Sequence, residues 1–161
     1  MKEPIRIGIS ELKAGHNPDV FVCLGLGSCM AVVLYDPAVK VGGVAHIMLP
    51  KENEAKEKSN RAKFADSAIE MLLCRLKELG AKKQRVKAKI FGGANMFGHL
   101  PKKNIINIGE RNSCAVREEL AKRGIDIVAS EIGGGAGRSI VFDTRDGSVL
   151  VKSINGSEKL Y

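Results

Sequence analysis

Tryptophan is absent from this chain and tyrosine occurs only twice, so flat aromatic platforms on which a base could stack are scarce. Long apolar runs are missing too: the longest, from Met30 to Tyr35, falls far short of the roughly 20 residues that a membrane helix requires. No apolar stretch of signal-peptide length develops after Lys2, Glu3 and Pro4, which predicts a soluble, cytoplasmic chain without membrane insertion. None of the four cysteines, Cys23, Cys29, Cys74 and Cys114, stands in a Cys-x-x-Cys pair, which argues against a zinc site or a disulfide framework. Free thiols are the default in a reducing compartment, and most of them serve as small buried apolar groups. Acidic side chains are the minority charge, with 18 Asp and Glu against 26 Lys and Arg and a formal charge of +8. That excess points to an acidic partner surface or to nucleic acid. The densest basic stretch is Lys82, Lys83, Arg85, Lys87 and Lys89, and its last three members alternate with Val86, Ala88 and Ile90. This is the pattern of a strand with one wet face. With no nucleic-acid reader motif beside it, it predicts a solvated face and no nucleic-acid partner.

What is present suits one compact α+β domain over residues 1–161: 44% of the residues are hydrophobic and 27% charged. A chain of this length buries about two-thirds of its unfolded surface without staples. Short β-branched runs predict strands over 5–9, 20–24, 30–35, 41–49, 86–91, 125–129, 139–142 and 148–154. Ala65, Ala68, Ile69, Leu72, Leu73, Leu76 and Leu79 follow helical spacing and stop at Gly80, and a second helix is predicted from about 110 to 123, before Gly124. The 30–35 run is apolar throughout, so periodicity alone also permits a helix starting at Cys29. A loop from Pro37 to Lys40 would join 30–35 to the following strand as a hairpin, and Asp146-Gly147 would join the last two strands. Residues 51–61 are charged and aperiodic, which predicts an exposed connection and a candidate lid. Mixed, largely antiparallel β-sheets packed with two main helices are therefore expected, without repeated βαβ winding.

The chemistry suggested by residue types gathers at Leu24-Gly25-Leu26-Gly27-Ser28-Cys29. Its Gly-x-Gly is no dinucleotide fingerprint, because Met30 stands where the third glycine belongs, and no Lys-Ser/Thr pair follows to complete a phosphate loop. Two glycines do permit a turn to which a ligand can come close. A thiol leaving such a turn is a candidate nucleophile, and main-chain N–H groups around Gly27, Ser28 and Cys29 are candidates to hold an oxyanion. Only a few per cent of an ordinary thiol is ionised at neutral pH, so it needs a base. In the hairpin, Asp36 pairs with Val41 and His46 falls opposite Ala31, which leaves Cys29 on the face of His46, about 7 Å away along the diagonal. A slip of one residue would turn Cys29 to the other face. The competing reading makes Cys29 a buried thiol and His46 a hydrogen-bonded core histidine, and residue types do not decide between the two. His16, in a polar N-terminal turn, and His99 read as surface residues. Two more glycine clusters follow strands. The first, Gly92-Gly93-Ala94-Asn95-Met96-Phe97, would present Met96 and Phe97 to a protein partner; the second, Gly133 to Arg138, would offer N–H groups and Arg138 to a carbonyl or carboxylate. As plain structure both are turns.

Taken in order, Leu24 to Cys29, Gly42 to Pro50, Lys63 to Asp66, Ala88 to Phe97, Asn107 to Asn112, Gly133-Gly134 and Gly137-Arg138 resemble the CheD family of chemoreceptor glutamine deamidases. The resemblance spans about residues 5–152. It implies hydrolytic conversion of selected glutamines to glutamate on methyl-accepting chemotaxis receptors, through a Cys/His thioester cycle that a methyl ester could also enter. No metal or organic cofactor is implied. The implied fold is similar to the catalytic domain of cytotoxic necrotizing factor toxins, and the implied partners are receptor cytoplasmic helices and the phosphatase CheC. By position, Cys29 matches the family nucleophile and His46 its base. The family's third catalytic residue is a threonine six positions before the cysteine, and here that position is Cys23, whose thiol is a poorer hydrogen-bond partner for imidazole than a hydroxyl. The alternative is a non-catalytic chemotaxis regulator that binds CheC or receptors through Met96, Phe97 and the basic surface.

Overall fold

Strands that are apolar on both sides must be covered on both faces. β4 (Met30–Asp36) and β5 (Val41–Ile47) are of this kind, apolar or glycine at most positions and buried almost throughout. The computed structural model, which describes residues 2–54, 60–96 and 107–161, supplies the two covers. The central sheet has the order β2 (Leu12–His16), β5, β4, β6 (Lys87–Gly92) and β7 (Ile127–Ile132). α1 (Ala65–Glu78) and α2 (Ile108–Lys122) lie on one face of it. On the other face lies a second sheet, in the order β1 (Ile5–Arg6), β3 (Val20–Leu26), β8 (Arg138–Asp143), β9 (Val149–Ser153) and β10 (Glu158–Leu160).

Side chains along β4 alternate between the two cores. Met30, Val32 and Leu34 pack with the helices, whereas Ala31 and Val33 pack with Phe21, Phe142 and Val151 of the second sheet. Phe21, Phe91 and Phe142 are fully buried, and each such side chain contributes on the order of 1.5–3 kcal/mol. Close approach to β5 needs two small residues. A Cβ on Gly42 would stand 2.7 Å from the Phe142 ring, and one on Gly43 would stand 2.8 Å from Leu72 Cδ1. Glycine at both positions lets the second sheet and α1 close on β5 from opposite sides.

Strand pairing is antiparallel except for β1 with β3 and β6 with β7, in keeping with the expected mixed, largely antiparallel α+β architecture. α2 lies between β6 and β7 in the chain, which gives the parallel pair its crossover. The hairpin register is the expected one: Asp36 opposite Val41 and His46 opposite Ala31. Residue 29 precedes a strand, so the helical alternative does not form. Both helices stop before a left-handed glycine, Gly80 at φ 100° and Gly124 at φ 68°.

Elsewhere the expected bounds shift. The strand expected over 5–9 is only Ile5–Arg6, because the chain turns at Gly8, Ile9 and Ser10. His16 ends β2 instead of lying in a turn. In the basic stretch, Lys83–Arg85 is a short 3-10 turn, and strand β6 begins only at Lys87. The candidate lid contains one more such turn, Glu52–Glu54, and runs into another, Arg61–Lys63, while residues 55–59 within it lie outside the described residues.

Candidate active site

His46 sits on the face of β5 that meets the second sheet, and it is 1% exposed. Across the gap, Cys23 of β3 brings its Sγ to 3.3 Å from His46 Nδ1. The other ring nitrogen, Nε2, is buried and has no hydrogen-bond partner. A hydrogen bond at one imidazole nitrogen sets the tautomer at the other. When Nδ1–H donates to the Cys23 sulfur, Nε2 is left as a free lone pair, the form a general base needs.

Burial favours the neutral form of both groups. Burial lowers the His46 pKa below its ordinary value, against smaller upward pulls from the Ile7 main chain and the Glu11 carboxylate. Burial raises the half-buried Cys29 thiol, and it pushes Cys23 up to about 12, with the nearby Cys29 adding to the effect. Cys29 directly precedes β4, so the register puts it on the same side as Ala31, the residue opposite His46. It packs at the margin of the inter-sheet core to which Cys23 belongs.

The turn before Cys29 is held by its carbonyls. Ala94 N–H donates to Gly27 O at 2.9 Å, Gly93 N–H donates to Cys29 O at 2.9 Å, and Asn112 Nδ2 donates to Ser28 O at 3.0 Å. Carbonyl and N–H point in opposite directions across a trans peptide. With the Gly27 and Ser28 carbonyls fixed toward β6 and α2, the N–H groups of Ser28 and Cys29 are turned the other way. Gly92 makes the grip possible: at φ 110° a Cβ would stand 2.2 Å from the Cys29 carbonyl oxygen.

Two openings flank this turn. A groove of about 470 Å³ is lined by Leu24, Gly25, Gly27, Met96, Arg138 and Ile154, among others. A smaller pocket of about 210 Å³, lined by Arg6, Ile7, Gly8, Ile9, Val22 and Leu24, reaches His46. Leu24 is the shared wall, and it is half exposed, as are Ile9 and Met96. Gly27 and Ser28 therefore lie in the turn itself, and Met96 lies over Gly27. Phe97, the other expected partner contact, and His99 lie outside the described residues. Arg138 is buried, and its guanidinium donates to the carbonyls of Glu131, Gly133 and Ala136 and pairs with the Glu131 carboxylate at 3.5 Å. The carbonyls it meets belong to its own glycine loop and to β7, while it also lines the larger groove.

Asn112 is a site residue that side-chain chemistry alone did not flag. It is fully buried, and its Nδ2 also donates to Met48 O at 2.8 Å, two residues beyond His46. Two carbonyls on one side fix the amide with its NH2 toward them and leave Oδ1 without a partner. The signal available was its place in the Asn107 to Asn112 motif. Among the described residues no group of three or more His, Cys, Asp or Glu side chains converges to hold a metal ion, so Cys23, Cys29 and His46 do not form a metal cage.

The fold and site define an α+β protein with a thiol and imidazole arrangement built between two sheets. The chain belongs to the CheD chemotactic sensory transduction family, whose pattern it matches over residues 48–153. It is 44% identical over 156 residues to a protein of Desulforamulus reducens named "Probable chemoreceptor glutamine deamidase CheD", an alignment covering 97% of this chain and 94% of that one. A Clostridium botulinum protein of the same name is also 44% identical, over 150 residues and 93% of each chain.

Proposed function

We propose that this chain is an amidohydrolase that converts glutamine side chains on chemoreceptors to glutamate, with Cys29 as nucleophile and His46 as general base. The family membership and the names of its relatives support the reaction. The observation that carries the mechanism is the buried His46 ring, in contact with Cys23 through Nδ1, on the face of the hairpin that Cys29 shares.

His46 Nε2 takes the proton of the Cys29 thiol as the sulfur attacks the carboxamide carbon. Negative charge develops on the amide oxygen and is met by the outward N–H groups of Cys29 and Ser28; such donors contribute about 3 kcal/mol each. The imidazolium returns its proton to the departing nitrogen, ammonia leaves, and a thioester remains. Water, relieved of a proton by the same Nε2, hydrolyses the thioester to glutamate and restores the thiol. Burial favours the neutral thiol and the neutral imidazole, which suits proton transfer during attack over a preformed ion pair. A methyl ester in place of the amide follows the same path with methanol leaving. Arg138 fixes the groove wall, Met96 borders the groove as a contact for receptor helices or CheC, and the reaction takes place at the cytoplasmic side of the receptor.

The test is incubation with a receptor cytoplasmic fragment and mass analysis of its glutamine peptides, with Cys29→Ala beside the wild type. Conversion by the wild type and at least a thousandfold less by Cys29→Ala is expected. Equal conversion by both would sink the cysteine mechanism, and conversion by neither, with the fragment still bound, would favour a non-catalytic regulator.

A further inference from the structure

The reaction above requires the Cys29 N–H to face the developing oxyanion, and one side chain controls the peptide that carries it. Asn112 Nδ2 donates to the Ser28 carbonyl at 3.0 Å, and the Ser28 carbonyl and the Cys29 N–H belong to the same peptide unit. The second Nδ2 proton goes to Met48 O at 2.8 Å, at the end of the strand that bears His46. One buried amide thus spans the nucleophile turn and the base strand. It does so while its own Oδ1 stays buried and unpartnered, a cost that an apolar residue facing the same core would avoid.

We infer that Asn112 is a positioning residue that aims and polarises the Cys29 N–H as an oxyanion donor. The inference rests on the Cys29 mechanism proposed above. Polarisation follows from the chain of bonds: a carbonyl that accepts a hydrogen bond makes the N–H of its own peptide a stronger donor. Asn112 contacts neither substrate nor the reacting sulfur, so its effect falls on the charged transition state. Ground-state binding and the acidity of the thiol are left alone.

Three measurements on Asn112→Ala and Asn112→Asp separate this role from a structural one. Turnover of receptor glutamines falls about tenfold or more with KM within twofold. Affinity for a glutamine-like peptide aldehyde, whose thiohemiacetal oxygen takes the oxyanion position, falls by a similar factor. Alkylation of Cys29 by iodoacetamide, a displacement at carbon that builds no oxyanion, keeps its wild-type rate and pH profile. Parallel loss of all three, or of none, overturns the inference. So does the failure of both variants to fold, since Asn112 would then be a core residue first. Wild-type protein that neither turns over glutamine nor binds the aldehyde would overturn the underlying Cys29 mechanism instead.

Discussion

Cys23 stands where the resemblance implies a threonine, and its thiol is the only side chain seen on the His46 ring among the described residues. A thiol accepts a hydrogen bond weakly. Replacing it with the family's threonine is expected to raise turnover severalfold, since a better-held tautomer is worth about 1 kcal/mol, and Cys23→Ala to lower it; glutamine conversion by the three proteins at equal folded concentration checks both. Burial also sets the pH response. Because the His46 pKa lies below its ordinary value, the base remains neutral at pH values where a free imidazole is half protonated, about 6.5. The acid limb of kcat/KM is therefore expected below that pH, with loss of activity as the pH falls and His46 gains its proton. A limb at or above pH 6.5 would show that a different group controls the reaction.

At the scale of elements, the β4–β5 hairpin carries the site, and its far end is anchored by Asp36. That carboxylate is fully buried and bonds the N–H groups of Ala38 and Lys82 and the Arg85 guanidinium. Burial alone would raise its pKa, but the Arg85 and main-chain bonds together hold it below the ordinary range. A carboxyl with a depressed folded pKa stabilises fully above its unfolded pKa, about 4, and loses that contribution as pH falls through the folded value. Asp36→Asn is expected to cost about 2 kcal/mol at neutral pH, below the usual loss for a buried pair because Arg85 is partly exposed. Urea denaturation of both proteins should show the difference shrinking below pH 4. Nearer the site, Gly92→Ala drives a Cβ onto the Cys29 carbonyl and is expected to abolish turnover.

The same hairpin explains what could be read in advance. Asp36-Pro37 and the following loop fixed its register, and hence the shared face of Cys29 and His46. β2 escaped notice because Gly15 and a charged Lys13 interrupt any alternation, yet the strand is held by full pairing with β5. β10 is exposed at every position, so no buried face marks it in the sequence. Asn112 entered only as the last residue of a motif, with no role of its own, for a different reason. Its importance lies in two main-chain carbonyls far away in the chain, and main-chain partners leave no trace in residue type.

For the molecule as a whole, the formal charge of +8 bears on encounter more than on chemistry. Much of the basic stretch is internally committed: Arg85 to Asp36, Lys87 to Asp126 at 2.8 Å, and Lys89 to the carbonyls of Gly147 and Tyr161. Toward an acidic protein surface the remaining excess would act as a diffuse steering field. Raising the salt concentration is expected to increase KM with kcat unchanged, since screening slows association without touching the site. No described helix is long and apolar enough to cross a membrane.

The contact between Cys23 and His46 joins one sheet to the other, so the proposed base is held in place only while the two layers stay together. A hydrolase that attacks side-chain amides is a hazard to its neighbours if it works half-made. On the proposed mechanism the base is fully held only when the two layers are together, since β3 and β5 each bring one member of the contact. On that mechanism, a chain in which the layers have parted converts glutamine more slowly. Glutamine conversion is accordingly an assay of finished molecules, and its loss on gentle heating should precede the loss of helical signal, marking the point at which the layers part.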